Sequence, residues 1–201
     1  HVVSGYLDYV MNTLRPAQIH MRDLSLAAIN QAMRSSDETR IKYASKQASI
    51  ANAWKKWIGQ IDGLRRVGAL DIKLNREKDY QERAASKSEW KSEYGAVVNQ
   101  MNELVKAKID AEFRYNMLIE YFFVGPELFK MARNMDQLKA TALNKPEALE
   151  ELKKKIIAGA EGFFKNYDLE VDKNIFKSQT VAYNNYVKNP STSKVNNAAN
   201  G

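Results

Sequence analysis

Between the prolines and glycines, most windows of the chain carry apolar residues at spacings of three and four, the repeat of a helix face. Strand-like alternation never runs beyond about four or five residues, and no fixed-period repeat is present. The pattern predicts an all-α fold, a bundle of long antiparallel helices with no sheet. A first helical region covers residues 5–33, with Pro16 marking a kink or the first turn of a second helix. "SSDET" then offers Ser36 as an N-cap, with acidic residues in the first turn where they meet the positive end of the helix dipole. The helix it starts continues through Ile41, Ala44, Ala51, Trp54, Ile58 and Ile61 to residue 68, with Gly59 and Gly63 as possible breaks. A charged helix over 69–87 follows. Another over 88–124 places Val97, Met101, Leu104, Ala111, Leu118 and Phe122 on one face and ends at Gly125-Pro126. Pro126 and Pro146 each start a helix at the first position. The second of these has a stripe of Leu149, Leu152, Ile156 and Phe163, with Glu150–Lys154 and Glu151–Lys155 paired four apart. A last helix covers 170–187. The expected organisation is one helical domain over 1–188 belonging to a larger protein, then a polar, disordered tail over 189–201.

Composition narrows the class. With 201 residues, 44% of them hydrophobic and 27% charged, the chain is long enough to bury a core and has the balance of a soluble globular protein. Its longest apolar run, "MLIEYFFV" at 117–124, is interrupted by Glu120 and falls short of the roughly 20 residues a membrane-spanning helix needs, so no membrane association is expected. A net charge of +7 favours acidic partners without naming one. The absence of cysteine excludes disulfides, thiol catalysis and cysteine-ligated zinc. The opening "HVVSGYLDYV" has neither an initiator Met nor a signal pattern, so the chain reads as a piece of a longer protein.

Candidate chemistry within the chain is sparse. A Ser-His-Asp triad needs a histidine base, and only His1 and His20 exist. Two distant histidines leave only carboxylates as metal ligands, so no metal is expected. "DLEVDKNIFKSQ" at 168–179 alternates acids as a calcium loop does, but has Lys173 where the turn needs Gly and Gln179 where a bidentate Glu belongs. No glycine-rich phosphate cradle is present, and no cofactor is expected. Lys55, Lys56, Arg65 and Arg66 suggest a basic patch, yet Trp54, Trp57, Ile58 and Ile61 interleave at core spacing, so the tryptophans read as packed and nucleic acid is not expected as a partner. Lys153, Lys154 and Lys155 read as a solvated face.

One stretch departs from this plainness. In "YASKQASIANAWKKWIG", residues 43–59, a line of small residues, Ser45, Ala48 and Ser49, leads to Asn52 in mid-helix. Asn is unfavourable there because its amide competes for backbone hydrogen bonds, so another role must favour it. Arg40, Ile41, the run Tyr43, Ala44, Ser45, Lys46, then Asn52, Trp54, Lys55, Ile58 and Gly59 form a pattern that resembles the helical domain of bacterial periplasmic chymotrypsin-like serine dipeptidyl-peptidases. Ala53 departs from it where relatives carry an aromatic. The likeness is diagnostic over 36–73 and thins elsewhere to "GLRRVGALDIK" and "GPELFKMAR".

The resemblance implies a helical domain that covers an active-site cleft, in a secreted or periplasmic enzyme releasing dipeptides from peptide N-termini. It implies that Asn52 helps bind the substrate's free α-amino group, with Tyr43, Trp54, Trp57 and Gly59 supporting the motif. The triad would lie on a double β-barrel absent from this chain, leaving the segment inactive alone. The partners so implied are a peptide N-terminus and the protein's own catalytic domain. Two alternatives stand beside it: Asn52 as a buried amide bonded to a neighbouring helix, and the whole chain as a stand-alone helical binding module for an anionic or helical partner.

Overall fold

A computed structural model describes residues 2–188, so the tail expected over 189–201 lies outside the described residues. Among the described residues there is no strand, as the helical periodicity requires. Helix α1 (Ser4–Tyr9) passes through a π-helical turn, Val10–Leu14, directly into α2 (Arg15–Ser35). Pro16 thus stands in the first turn of α2, but the chain enters that helix without a loop. A proline ring crowds the carbonyl four residues back, and the wider π turn is where that carbonyl lies.

Ser36 caps α3 (Asp37–Arg66), its Oγ accepting the Thr39 N–H at 3.2 Å. This helix is 30 residues long and breaks at neither Gly59 nor Gly63. Each glycine costs about 1 kcal/mol of helix propensity. Both lie on the exposed side with open space around them, while Tyr43, Ile50, Ala51 and Ile61 bury the opposite side. A turn through Gly68, whose φ of 60° only glycine adopts without strain, leads into α4 (Ala69–Ala85).

The single helix expected over 88–124 is instead α5 (Ser88–Tyr94) and α6 (Val97–Ile119), the latter running into a second π turn, Glu120–Val124. The interruption falls at Gly95, where a Cβ would stand 2.5 Å from the Lys91 carbonyl oxygen. The face expected to be buried is also corrected. Met101, Ala111 and Leu118 are exposed and Leu104 is 71% exposed, whereas Phe113, Met117, Glu120 and Tyr121 are buried. Polar residues line the inward side of α6, each with a partner: Glu112 accepts from Tyr6 Oη at 2.7 Å, and Asn116 accepts from Gln18 at 3.3 Å.

After Gly125-Pro126, α7 (Leu128–Asn144) begins two residues later than expected of Pro126, and Pro146 opens a short 3-10 turn, Pro146–Ala148, before α8 (Leu149–Asn166). The stripe of Leu149, Leu152, Ile156 and Phe163 is half-buried, and Lys153–Lys155 are exposed as expected. Glu151 pairs with Lys155 at 3.3 Å, but Glu150 pairs with Lys153 at 2.6 Å rather than with Lys154. Helix α9 (Leu169–Lys188) completes the described chain.

The chain divides into two compact units. The first comprises the described residues up to His20, Ala53–Met117, and those from Asn184 on. Its core gathers Tyr9, Met11, Leu14, Ile61, Phe113 and Tyr186. There His20 Nδ1 lies 2.7 Å from the Tyr186 hydroxyl, and Ser4 bonds Glu77 through both its N–H and its Oγ. The second comprises Met21–Asn52 and Leu118–Tyr183. Its core holds Met21, Ile29, Tyr43, Ile50, Tyr121, Val171 and Ile175. It also encloses polar groups: Arg22 grips the buried Glu120 with two bonds at 3.0 and 3.2 Å.

Candidate functional site

Within the second unit, α3 has two contrasting sides. The inward side is tied at three places. The Tyr43 hydroxyl, in a residue only 1% exposed, accepts the Asp168 N–H at 3.2 Å and donates to the Asp168 carbonyl at 3.4 Å. Lys46 Nζ lies 3.5 Å from the Glu127 carboxylate and donates to the Gly125 carbonyl at 3.4 Å. Gln47 bonds Asn30 at 3.3 Å. Burial, helped by the nearby Glu127 charge, pushes the Tyr43 phenol well above its ordinary value. Burial likewise pulls the Lys46 ammonium below its ordinary value, and Glu127 pulls it back up.

These tethers end on a second group of fixed residues. The buried Asp172 carboxylate accepts the Glu127 N–H at 2.6 Å and the Leu128 N–H at 3.1 Å, stabilising the positive end of α7. Tyr167 donates its hydroxyl to the same carboxylate at 3.2 Å. Burial first, and the Asp172 charge second, push the Tyr167 phenol up to about 12. The acids that invited comparison with a calcium loop therefore serve helix ends, Asp168 capping α9 through the Glu170 and Val171 N–H groups. Among the described residues no cluster of three metal-ligating side chains occurs.

The outward side of α3 is made of Ile41, Ser45, Ala48, Ser49 and Asn52, all exposed. No partner among the described residues engages the Asn52 carboxamide. The alternative of a buried amide bonded to a neighbouring helix is thereby removed. An exposed amide can accept one hydrogen bond and donate two, and small neighbours one turn before it let a ligand approach.

The other residues singled out in the sequence fall on both sides of the helix. Tyr43 is buried in the core of the second unit. Trp54 and Trp57 are half-buried rather than fully packed, Trp57 lying under the Arg15 guanidinium at 4.9 Å. Gly59 is exposed, and a Cβ there would meet nothing among the described residues, so their packing does not require glycine. It shares the exposed side of α3 with Asn52, seven residues or about two turns earlier. Lys46, quoted in the motif without a role, is the residue whose importance the sequence left unread. Its signal was a lysine at the spacing of the inward face.

Comparison with known proteins gives these residues a context. A model of the family described as Peptidase S46 matches residues 2–200. The chain is 30% identical over 184 residues, 91% of its length, to an Asp/Glu-specific dipeptidyl-peptidase of Capnocytophaga gingivalis, of which it covers 26%. It is 29% identical over 175 residues, 87% of its length, to an Asp/Glu-specific dipeptidyl-peptidase of Flavobacterium psychrophilum, of which it covers 24%. A dipeptidyl-peptidase 7 of Phocaeicola vulgatus matches at 28% over 177 residues, 86% of this chain and 24% of that protein. The chain thus spans about a quarter of the length of these relatives.

Proposed function

The chain belongs to the peptidase S46 family, and on that premise we propose that it is the helical part of a periplasmic or secreted serine exopeptidase releasing dipeptides from peptide N-termini. In this reading it covers the active-site cleft, and Asn52 accepts a hydrogen bond from the substrate's α-amino group. The single observation that carries it is the exposed, unengaged Asn52 carboxamide at the end of a line of small residues, on a helix firmly tied along its other side.

The chemistry suits the task. An ammonium offers three donors, and the amide oxygen accepts one while its NH2 remains free to hold the orientation. A neutral acceptor also avoids the desolvation penalty of an uncompensated carboxylate when a cleft closes and expels water. The distance from this acceptor to the nucleophile would then set the length of the product at two residues. Relatives named Asp/Glu-specific and relatives named only dipeptidyl-peptidase 7 match this segment to a similar degree. That fits a role directed at the amino terminus, which all such substrates share, rather than at the side chain beside the cleaved bond.

The nucleophile and its base belong elsewhere in the protein. Of the two histidines, His1 precedes the described residues and His20 is engaged with Tyr186. The 201-residue chain alone should release no dipeptide from any peptide, and release at a measurable rate by the purified segment would refute the assignment. In the peptidase carrying this segment, Asn52→Ala should lower kcat/KM for dipeptide release by about 1.5 to 3 kcal/mol, the worth of a hydrogen bond to a charged group. An unchanged kcat/KM would remove Asn52 from the site. The stand-alone binding module has the exposed Lys55, Lys56, Arg65 and Arg66 in its favour. Anion binding that weakens steeply with salt would support it.

A further inference from the structure

Lys46 follows Tyr43 by three residues on the inward side of α3, with its side chain only 17% exposed. An ammonium is a costly group to place there. Replacing a desolvated ion pair by packed hydrophobic residues is frequently neutral or stabilising, so the pair itself does not explain the lysine. What an ion pair adds over packing is direction, because its partners must meet at defined points.

We propose that Lys46 is a positioning residue: together with Tyr43 it fixes the rotation of α3 about its own axis, and so the direction in which Asn52 presents its carboxamide. The inference rests on the reading of Asn52 as the acceptor of the substrate amine.

The geometry supports it in two steps. Tyr43 and Lys46 are about one turn apart and reach different elements, Tyr43 the start of α9 at Asp168 and Lys46 the Gly125–Glu127 turn before α7. Two attachments to separate elements, added to the Gln47–Asn30 bond and the burial of Ile50 and Ala51, narrow the roll left to the helix. The elements reached are themselves held, since Asp172 of α9 binds the Glu127 and Leu128 N–H groups and the Tyr167 hydroxyl. The helix surface lies roughly 5–6 Å from the axis, so a roll of about 20° would carry the Asn52 amide roughly 2 Å. Productive geometry in a binding constellation tolerates about 0.5 Å.

The test uses the peptidase carrying this segment, with Asn52→Ala, Lys46→Met, Lys46→Arg, Glu127→Gln and the Asn52→Ala/Lys46→Met double variant. Lys46→Met should raise KM for peptides with a free amino terminus about tenfold while kcat stays within about twofold, the signature of lost uniform binding. Lys46→Arg keeps the charge and should restore most of the affinity. The double variant should be no worse than Asn52→Ala alone, because Lys46 acts through Asn52. Glu127→Gln weakens the same pair from its other end and should repeat the rise in KM in milder form, also serving if Lys46→Met does not fold. Fully additive losses in the double variant would overturn the inference, as would an unchanged KM in Lys46→Met or, failing its folding, in Glu127→Gln. An unchanged KM in Asn52→Ala would overturn the reading of Asn52 itself, and this inference with it.

Discussion

The second unit presents two carboxamides on helices in opposite circumstances. Gln179 on α9 is 1% exposed, and its NH2 donates to the Met21 carbonyl at 2.7 Å and to Ser25 Oγ at 2.8 Å. Asn52 on α3 is exposed and engages nothing among the described residues. The Gln179 NH2 serves two buried acceptors, each of which would cost about 1–3 kcal/mol if left unpaired, while its own Oε1 has no partner among the described residues. An amide in the open, at a position where helix propensity disfavours it, has no such explanation among the described residues. The contrast sets a polar residue engaged within the fold against one that the proposal above assigns to a ligand.

Substitutions on the inward side should be felt most. Arg22→Met strips the buried Glu120 of its guanidinium and should lower unfolding free energy by about 3 to 5 kcal/mol, measured by urea denaturation. Gln179→Ala leaves the Met21 carbonyl and Ser25 without their donor and opens a cavity, for a loss of about 2 to 4 kcal/mol. Tyr43→Phe removes the hydroxyl shared with Asp168 but keeps the ring, and about 1 kcal/mol should be lost. Asn52→Ala lies at the other end of the scale. Its unfolding free energy from urea denaturation should change by no more than about 0.5 kcal/mol in either direction. A loss of 2 kcal/mol or more there would erase the difference between the two amides.

Alkaline titration sharpens the same division. Burial raises Tyr167 and Tyr186 to about 12 from an ordinary value of 10.0, and Tyr43 rises as well. The folded state therefore holds these phenol protons more tightly than the unfolded chain. Their contribution to stability is fully present below pH 10 and is lost as pH rises through about 12. Stability followed by circular dichroism should fall across that window, and phenolate absorbance should show Tyr167 and Tyr186 ionising above the ordinary phenol value of 10.0. Stability that stays level from pH 10 to 12 would contradict these assignments.

Several local signals, each decided by a neighbour within one turn, proved legible in the sequence. Ser36 caps α3, Gly125-Pro126 closes the second π turn, and the solvated lysines of α8 are where the pattern put them. The inward face of α6 was not legible. Its polar members are satisfied by Tyr6 and Gln18, about a hundred residues away in sequence, so periodicity alone favoured the exposed line of Met101 and Leu104. The role of Asp172 was hidden for the same reason, since its backbone partners lie 44 and 45 residues upstream. At the candidate site the motif pointed to α3 and to its unusual amide. Only the fold could give the amide's direction, because a residue at the middle of a long helix turns toward whatever the distant segments leave uncovered.

The most direct test compares peptides with free and acetylated amino termini as substrates of the peptidase carrying this segment. With Asn52 present, acetylation should lower kcat/KM strongly, because it replaces a charged donor with a neutral amide. In Asn52→Ala that preference for the free amine should shrink about tenfold or more. A preference that is the same in both enzymes would contradict the account.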